Sequence, residues 1–213
     1  TGWKLEQQDG PRGRMVYVDV AKPSGDVAVT IECVVHRDAV RFPLDPAAGE
    51  AALGAIDGGV FARELSTNDP LMEASAEVRA MAAKACEGVT DPRVKVTRLL
   101  DAVAASADHY SKDPTKPTCG RGAAQDCLAH GGGCCTDLHS LFIAMARAEG
   151  IPARLQFGYR LTPANEAKKD ADPGYRCWVE YFLPRSGWVP TDIVVADSGE
   201  ASARPNAWGT LDD

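Results

Sequence analysis

Apolar and polar residues alternate with a period of two in three runs near the start of the chain: Met15–Val20, Val27–Val35 and Ala39–Leu44. Alternation sends every second side chain to one face of a strand, and the runs are rich in β-branched residues. Ser24-Gly25-Asp26 supplies turn residues between the first two runs. The pattern predicts an antiparallel β-meander. Residues 45–67 contain Gly49, Gly54, Gly58 and Gly59 without a sustained period, which predicts a connection with a short strand near Val60–Leu65.

Beyond residue 67 the spacing becomes helical. Asn68-Asp69-Pro70 predicts a helix start, with the alanine-rich stretch running to Cys86 and Gly88 as the stop. Thr90-Asp91-Pro92 repeats the signal, and Val96, Leu99, Leu100 and Val103 share the face of a second helix ending near Ser106. His109–Gly133 is polar and rich in glycine and proline, which predicts a long loop. A third helix opens at Cys135, with Leu138, Leu141, Phe142 and Met145 on one face and Gly150 and Pro152 as its stop. Strands are expected over 155–161, 177–183 and 188–195. The chain therefore reads as α+β: an N-terminal antiparallel β region over 1–66, then a mixed domain over 67–213.

Composition removes several classes of function. The 213 residues carry 23 Lys+Arg against 30 Asp+Glu, a net charge of -7, with no dense basic cluster. That argues against nucleic acid as a partner. The longest apolar runs, such as Val27-Ala28-Val29, fall far short of the roughly 20 residues needed to cross a bilayer. No Walker loop, dinucleotide fingerprint or His-Glu-x-x-His motif is present, so no cofactor and no metal is predicted. Calcium dependence is left open, since an EF-hand loop is lacking.

Cysteine changes the picture more. Seven are present, at positions 33, 86, 119, 127, 134, 135 and 177. The odd number fits three disulfides plus one thiol, which favours an oxidising compartment and a secreted or periplasmic chain. An opening at Thr1 fits either a mature secreted protein or a trimmed one. Cys119, Cys127, Cys134 and His130 lack paired C-x-x-C spacing, so disulfides are preferred to zinc. Cys33 and Cys86 read as buried thiols or a structural bridge.

Cys135 stands behind Gly131-Gly132-Gly133 at the start of a helix. The N–H groups and positive partial charge there stabilise a thiolate and predict a lowered thiol pKa, and the same N–H groups suit an oxyanion. Glycines upstream let a substrate backbone approach closely. The run from Cys135 to Arg154, then Cys177-Trp178-Val179-Glu180-Tyr181-Phe182-Leu183-Pro184, then Gly187-Trp188-Val189-Pro190-Thr191-Asp192, resembles the transglutaminase-like superfamily, which has a papain-like cysteine protease fold. The resemblance spans about residues 118–195, with a weaker echo at Gly209–Asp212 that leaves room for more protein beyond Asp213.

The resemblance implies a helix packed on an antiparallel sheet and a thiol acyl-transfer or amide-hydrolysing reaction on a peptide or protein substrate. It makes Cys135 the nucleophile and Asp192 the orienting acid, and it puts Arg176, two residues before Trp178, where the family has its histidine. Arginine has no acceptor and stays protonated, so it cannot act as a base. Three outcomes follow: His139, one turn after Cys135, substitutes as base; Arg176 pairs with Asp192 in a non-catalytic module that binds a peptide or partner protein; or His109, His130 or a changed mechanism using Arg176 sustains activity. The resemblance also suggests a Cys127–Cys177 disulfide. More ordinary roles are a half-cystine for Cys135 with Cys134 as the thiol, a turn acid for Asp192, a cap for Asp137, core or pocket wall for Trp178 and Trp188, and surface positions for His36 and His109. Hydrolysis and transamidation, the substrate's identity and the oligomeric state stay open.

Overall fold

A computed structural model of the chain describes residues 3–10, 13–30, 34, 36, 38, 40–42, 56–118, 120–159, 175–198 and 208–211. It divides into two compact units, Thr1–Arg37 and Asp38–Asp213.

The first unit holds an antiparallel hairpin of β1 (Trp3–Gly10) and β2 (Gly13–Val20), in register from Trp3 opposite Val20 to Gly10 opposite Gly13. The expected meander is thereby corrected. Residues 27–30 form no strand, and Ile31, Glu32, Cys33 and Val35 lie outside the described residues. A strand needs a partner for its backbone N–H and C=O groups, and β2 finds it in the preceding segment, where Trp3 and Leu5 also alternate with polar neighbours.

In the second unit, β3 (Val40–Arg41) pairs with a terminal strand introduced below. The strand expected near Val60–Leu65 is instead a pair of helical turns, closed by Phe61 N–H to Asp57 C=O (3.2 Å) and Leu65 N–H to Phe61 C=O (2.9 Å). Helix α1 covers Ala76–Ala85 and starts later than expected, because Ser75 caps it while Asp69 turns back to accept from Leu71 N–H. Helix α2 (Pro92–Ser106) begins at the Asp91 cap as expected. The predicted long loop contains β4 (Asp108–His109), α3 (Ala124–His130) and β5 (Gly132–Gly133), with β4 and β5 paired in parallel.

Helix α4 (Cys135–Ala148) is the axis of the domain. Leu138, Leu141, Phe142, Ile143 and Met145 are all fully buried, so the helix is apolar around most of its circumference, as a central element must be. Each such side chain contributes about 1.5–3 kcal/mol of burial. Strands β6 (Ala153–Tyr159), β7 (Tyr175–Leu183) and β8 (Gly187–Thr191) form an antiparallel sheet in that order and lie against α4. The β-branched run Ile193-Val194-Val195 belongs to helix α5 (Ile193–Ser198) rather than to a continued strand. The Asp192 carboxylate caps that helix, accepting from Val194 N–H (2.9 Å) and Val195 N–H (3.3 Å), and the cap outweighs the weak β preference. Finally β9 (Thr210–Leu211) pairs with β3, held by Gly209 N–H to Thr191 Oγ1 (2.8 Å) and Trp208 Nε1–H to Asp101 (3.1 Å).

Candidate active site

The start of α4 is fixed by Asp137. Its buried carboxylate accepts from Cys134 N–H (2.9 Å), Gly122 N–H (3.1 Å) and Gly120 N–H (3.3 Å), tying the preceding loop to the first helical turn. The cap expected of Asp137 is thus also a clamp on residues 120–122. Glycine is required around it: a Cβ on Gly133 would come within 2.6 Å of an Asp137 oxygen, and one on Gly120 within 2.7 Å. This arrangement leaves Cys135, the first residue of α4, partly exposed.

One turn on, His139 is fully buried and faces β7. Its Nδ1 lies 3.3 Å from Cys177 Sγ, and its Nε2 accepts from Ile193 N–H (3.1 Å) with Asp192 Oδ1 3.5 Å away. Since Nε2 is an acceptor, the neutral ring carries its proton on Nδ1 and donates it to Cys177, a tautomer assigned from the hydrogen-bond network. Thr136 Oγ1 is 3.7 Å from the same sulfur. Cys135 lies between Cys134 and Cys177, and each of the two neighbouring thiols acts on it. Four side chains thus run from the helix start to the sheet: Cys135, Cys177, His139 and Asp192.

Strand alternation explains why Cys177 is in this line. Cys177, Val179, Tyr181 and Leu183 are the buried residues of β7, facing α4. Arg176 is exposed and sits opposite Gly158, on the face of β7 that also carries Trp178 and Glu180. On this outer face Glu180 binds Arg154 (2.6 Å), and Arg154 stacks over Trp188 at 3.9 Å. Trp178 covers Gly158, where a Cβ would meet its ring at 2.7 Å. Both tryptophans are therefore wall residues of the sheet.

Electrostatics separate the groups. Burial raises Asp192, but the His139 ring at 3.5 Å, with the Val194 and Val195 N–H groups, outweighs it and holds the carboxyl below its ordinary value. Cys135 departs from expectation: the Cys134 hydrogen bond favours its thiolate, yet the Cys177 hydrogen bond and burial prevail and push it up. The helix start does not by itself activate this thiol, because neighbouring sulfur and burial oppose it. Cys134 is pushed up by its bond to Cys135 and by burial, and burial raises Cys127 to about 12 and Cys86 to about 11.

The remaining candidates fall elsewhere. His109 on β4 bonds to Ser111 Oγ (2.7 Å) and His130, at the end of α3, to the Asp126 carbonyl (2.7 Å). His36 is exposed. The Cys127–Cys177 disulfide suggested by the sequence is not formed. Cys127 is buried on α3, whereas Cys177 faces His139, and among the described residues Cys86, Cys127, Cys134, Cys135 and Cys177 all keep their thiols. Cys33 and Cys119 lie outside the described residues. Among the described residues no cluster of three or more metal-ligating side chains occurs, and no helix is long and apolar enough to cross a membrane. Cys177 had no place in the site before the fold was known; the one signal was its alternation with Val179 and Tyr181.

Known proteins share this arrangement of elements. A proposed cysteine protease from Cytophaga hutchinsonii superposes with a TM-score of 0.58 at 17% identity, covering 91% of this chain and 62% of that one. The periplasmic domain of TgpA from Pseudomonas aeruginosa, bound to ethylmercury, gives a TM-score of 0.51 at 27% identity over 71% of this chain and 53% of that one. An uncharacterized protein of Haemophilus influenzae is 38% identical over 101 residues, covering 39% of this chain. The chain matches only 27% of that relative's length. The model of the transglutaminase-like superfamily matches residues 79–193, just over half of the 213 residues, from within α1 to the first residue of α5. The chain belongs to the transglutaminase-like superfamily.

Proposed function

We propose that this domain is a cysteine-dependent amide acyl transferase or hydrolase acting on a peptide or protein, with Cys135 as nucleophile and His139 and Asp192 in place of the usual imidazole and acid pair. The observation that supports it most is His139, whose ring spans the gap between Asp192 and the thiol pair. Cys135 is the sulfur a substrate can reach, since Cys177 is fully buried.

The two thiols act as a pair that carries one proton in the attacking state, and His139 Nδ1, 3.3 Å from the Cys177 sulfur, supports the charge there. As Cys135 attacks the carbonyl, its proton passes to Cys177. A carbon–sulfur bond forms, the carbon–nitrogen bond breaks, and the departing nitrogen takes the proton from Cys177. Water or an amine then attacks the thioester and regenerates the thiol. The first N–H groups of α4, unused by the helix, are the donors for the oxyanion. Arg176 takes no part in this scheme. A periplasmic or secreted setting belongs to the proposal, by analogy with the TgpA domain.

The test is hydrolysis of fluorescently labelled casein and incorporation of dansylcadaverine into casein, both under reducing conditions across neutral and alkaline pH. Either activity, abolished by Cys135→Ala and lowered at least about 100-fold by His139→Ala, is the expected result. Folded protein that does neither, while binding casein peptides, is instead a non-catalytic module.

A further inference from the structure

Donors converge on the Cys177 sulfur: His139 Nδ1 at 3.3 Å, Thr136 Oγ1 at 3.7 Å and the Cys135 thiol. These groups enclose the sulfur, and Cys177 is fully buried and cannot meet a bulky substrate. Its partner Cys135 is partly exposed at the first residue of α4. One reachable thiol beside one buried, donor-supported thiol is the arrangement that two-step oxidation to a disulfide requires.

We propose that Cys135 and Cys177 form a peroxide-reactive dithiol that closes to a disulfide between α4 and β7. In the first step the ionised fraction of Cys135, small at neutral pH, attacks hydrogen peroxide: a sulfur–oxygen bond forms, the oxygen–oxygen bond breaks, and hydroxide leaves and is protonated to water. Cys135 is then a sulfenic acid. In the second step the Cys177 thiolate attacks that sulfur, the sulfur–sulfur bond forms, and the departing hydroxide takes the proton Cys177 has lost. Two thiols and one peroxide give one disulfide and two waters. Cys134 also touches Cys135, but as its immediate chain neighbour it would close a strained ring through a helical peptide, so Cys177 is the resolving partner. The disulfide removes the Cys135 nucleophile until a thiol reductant restores it. Closure needs no amide turnover, so it stands or falls separately from the acyl-transfer reading.

The experiment exposes the whole, reduced chain to increasing hydrogen peroxide, quenches with N-ethylmaleimide, and maps non-reduced peptides by mass spectrometry. The expected result is a Cys135–Cys177 cross-linked peptide that appears as alkylation of both residues is lost, and that dithiothreitol reverses. In Cys177→Ser, Cys135 should instead progress to sulfinic acid. Cys135→Ser should leave Cys177 alkylatable after unfolding, which provides a second readout if Cys177→Ser does not fold. Sulfinic acid at Cys135 of the unaltered chain without the cross-link, or a link from Cys135 to Cys134, overturns the proposal.

Discussion

Asp192 and His139 meet through a carboxylate that has a second task. Asp192 Oδ1 lies 3.5 Å from His139 Nε2 and also accepts the Val194 and Val195 N–H groups that start α5. The contact with His139 and the cap of α5 therefore share one atom, and Ile193 N–H lies 3.1 Å from the same Nε2.

The two tasks separate by substitution. Asp192→Ala loses the cap and the charge, with a cost of about 1 kcal/mol from the cap alone. Asp192→Asn keeps a capping oxygen and should unfold at a temperature nearer that of the parent. Both variants should lose casein-directed activity by about 100-fold or more. Because the folded Asp192 titrates below its ordinary value, it stabilises the fold above about pH 4, and that contribution is lost as pH falls through the lowered value. Thermal unfolding from neutral to strongly acid pH should show a shallower acid decline in Asp192→Asn.

Cys135 should alkylate slowly at neutral pH. Its iodoacetamide labelling should rise only above the ordinary thiol value of about 8.5, since the Cys177 contact and burial outweigh the Cys134 hydrogen bond. Cys177→Ala should move the labelling midpoint down and Cys134→Ala should move it up. Opposite responses to the two neighbours are the mark of this sulfur chain, and equal responses would contradict it.

Buried thiols should also limit stability in alkali. Cys127, pushed up to about 12, stays protonated in the fold while the unfolded chain ionises from about pH 8.5. Its contribution is complete below that pH and is lost progressively as pH rises toward 12, at up to about 1.4 kcal/mol per pH unit. Denaturant unfolding at pH 7 and pH 10 should show a smaller alkaline loss in Cys127→Ala, whatever its absolute stability.

Asp137 should be the most sensitive structural position near the site. Asp137→Ala leaves the Cys134 N–H at the start of α4 and the Gly120 and Gly122 N–H groups of the preceding loop without their acceptor. A cost of about 2 kcal/mol or more is expected, at about 1 kcal/mol or more for each of the two buried groups, Cys134 and Gly122 N–H. Protease cleavage within residues 115–125 should accelerate in this variant, and Asp137→Asn should fall between it and the parent.

Arg176→His should not raise activity. The residue is exposed on the face of β7 opposite to Cys177, so an imidazole there replaces a surface side chain and leaves the His139 line intact. A gain in casein hydrolysis or transamidation in the folded variant would show that position 176 reaches Cys135 and that His139 is only a support.

Much of this protein was determined by its sequence alone. The Cys135 helix, its stop at Gly150 and the Asp91 cap of α2 follow from local rules, because spacing, caps and left-handed glycines act within a few residues of each other. The three-block resemblance located the family and marked Cys135 and Asp192. Tertiary structure decided the rest. The partner of β2 came from residues 3–10, and Ile193-Val194-Val195 became helix because Asp192 was in place to cap it. The neighbours of His139 arise from β7 lying against α4 in one register, which turns Cys177 inward and Arg176 outward. A single residue of register exchanges those two faces, and only the packed sheet fixes it.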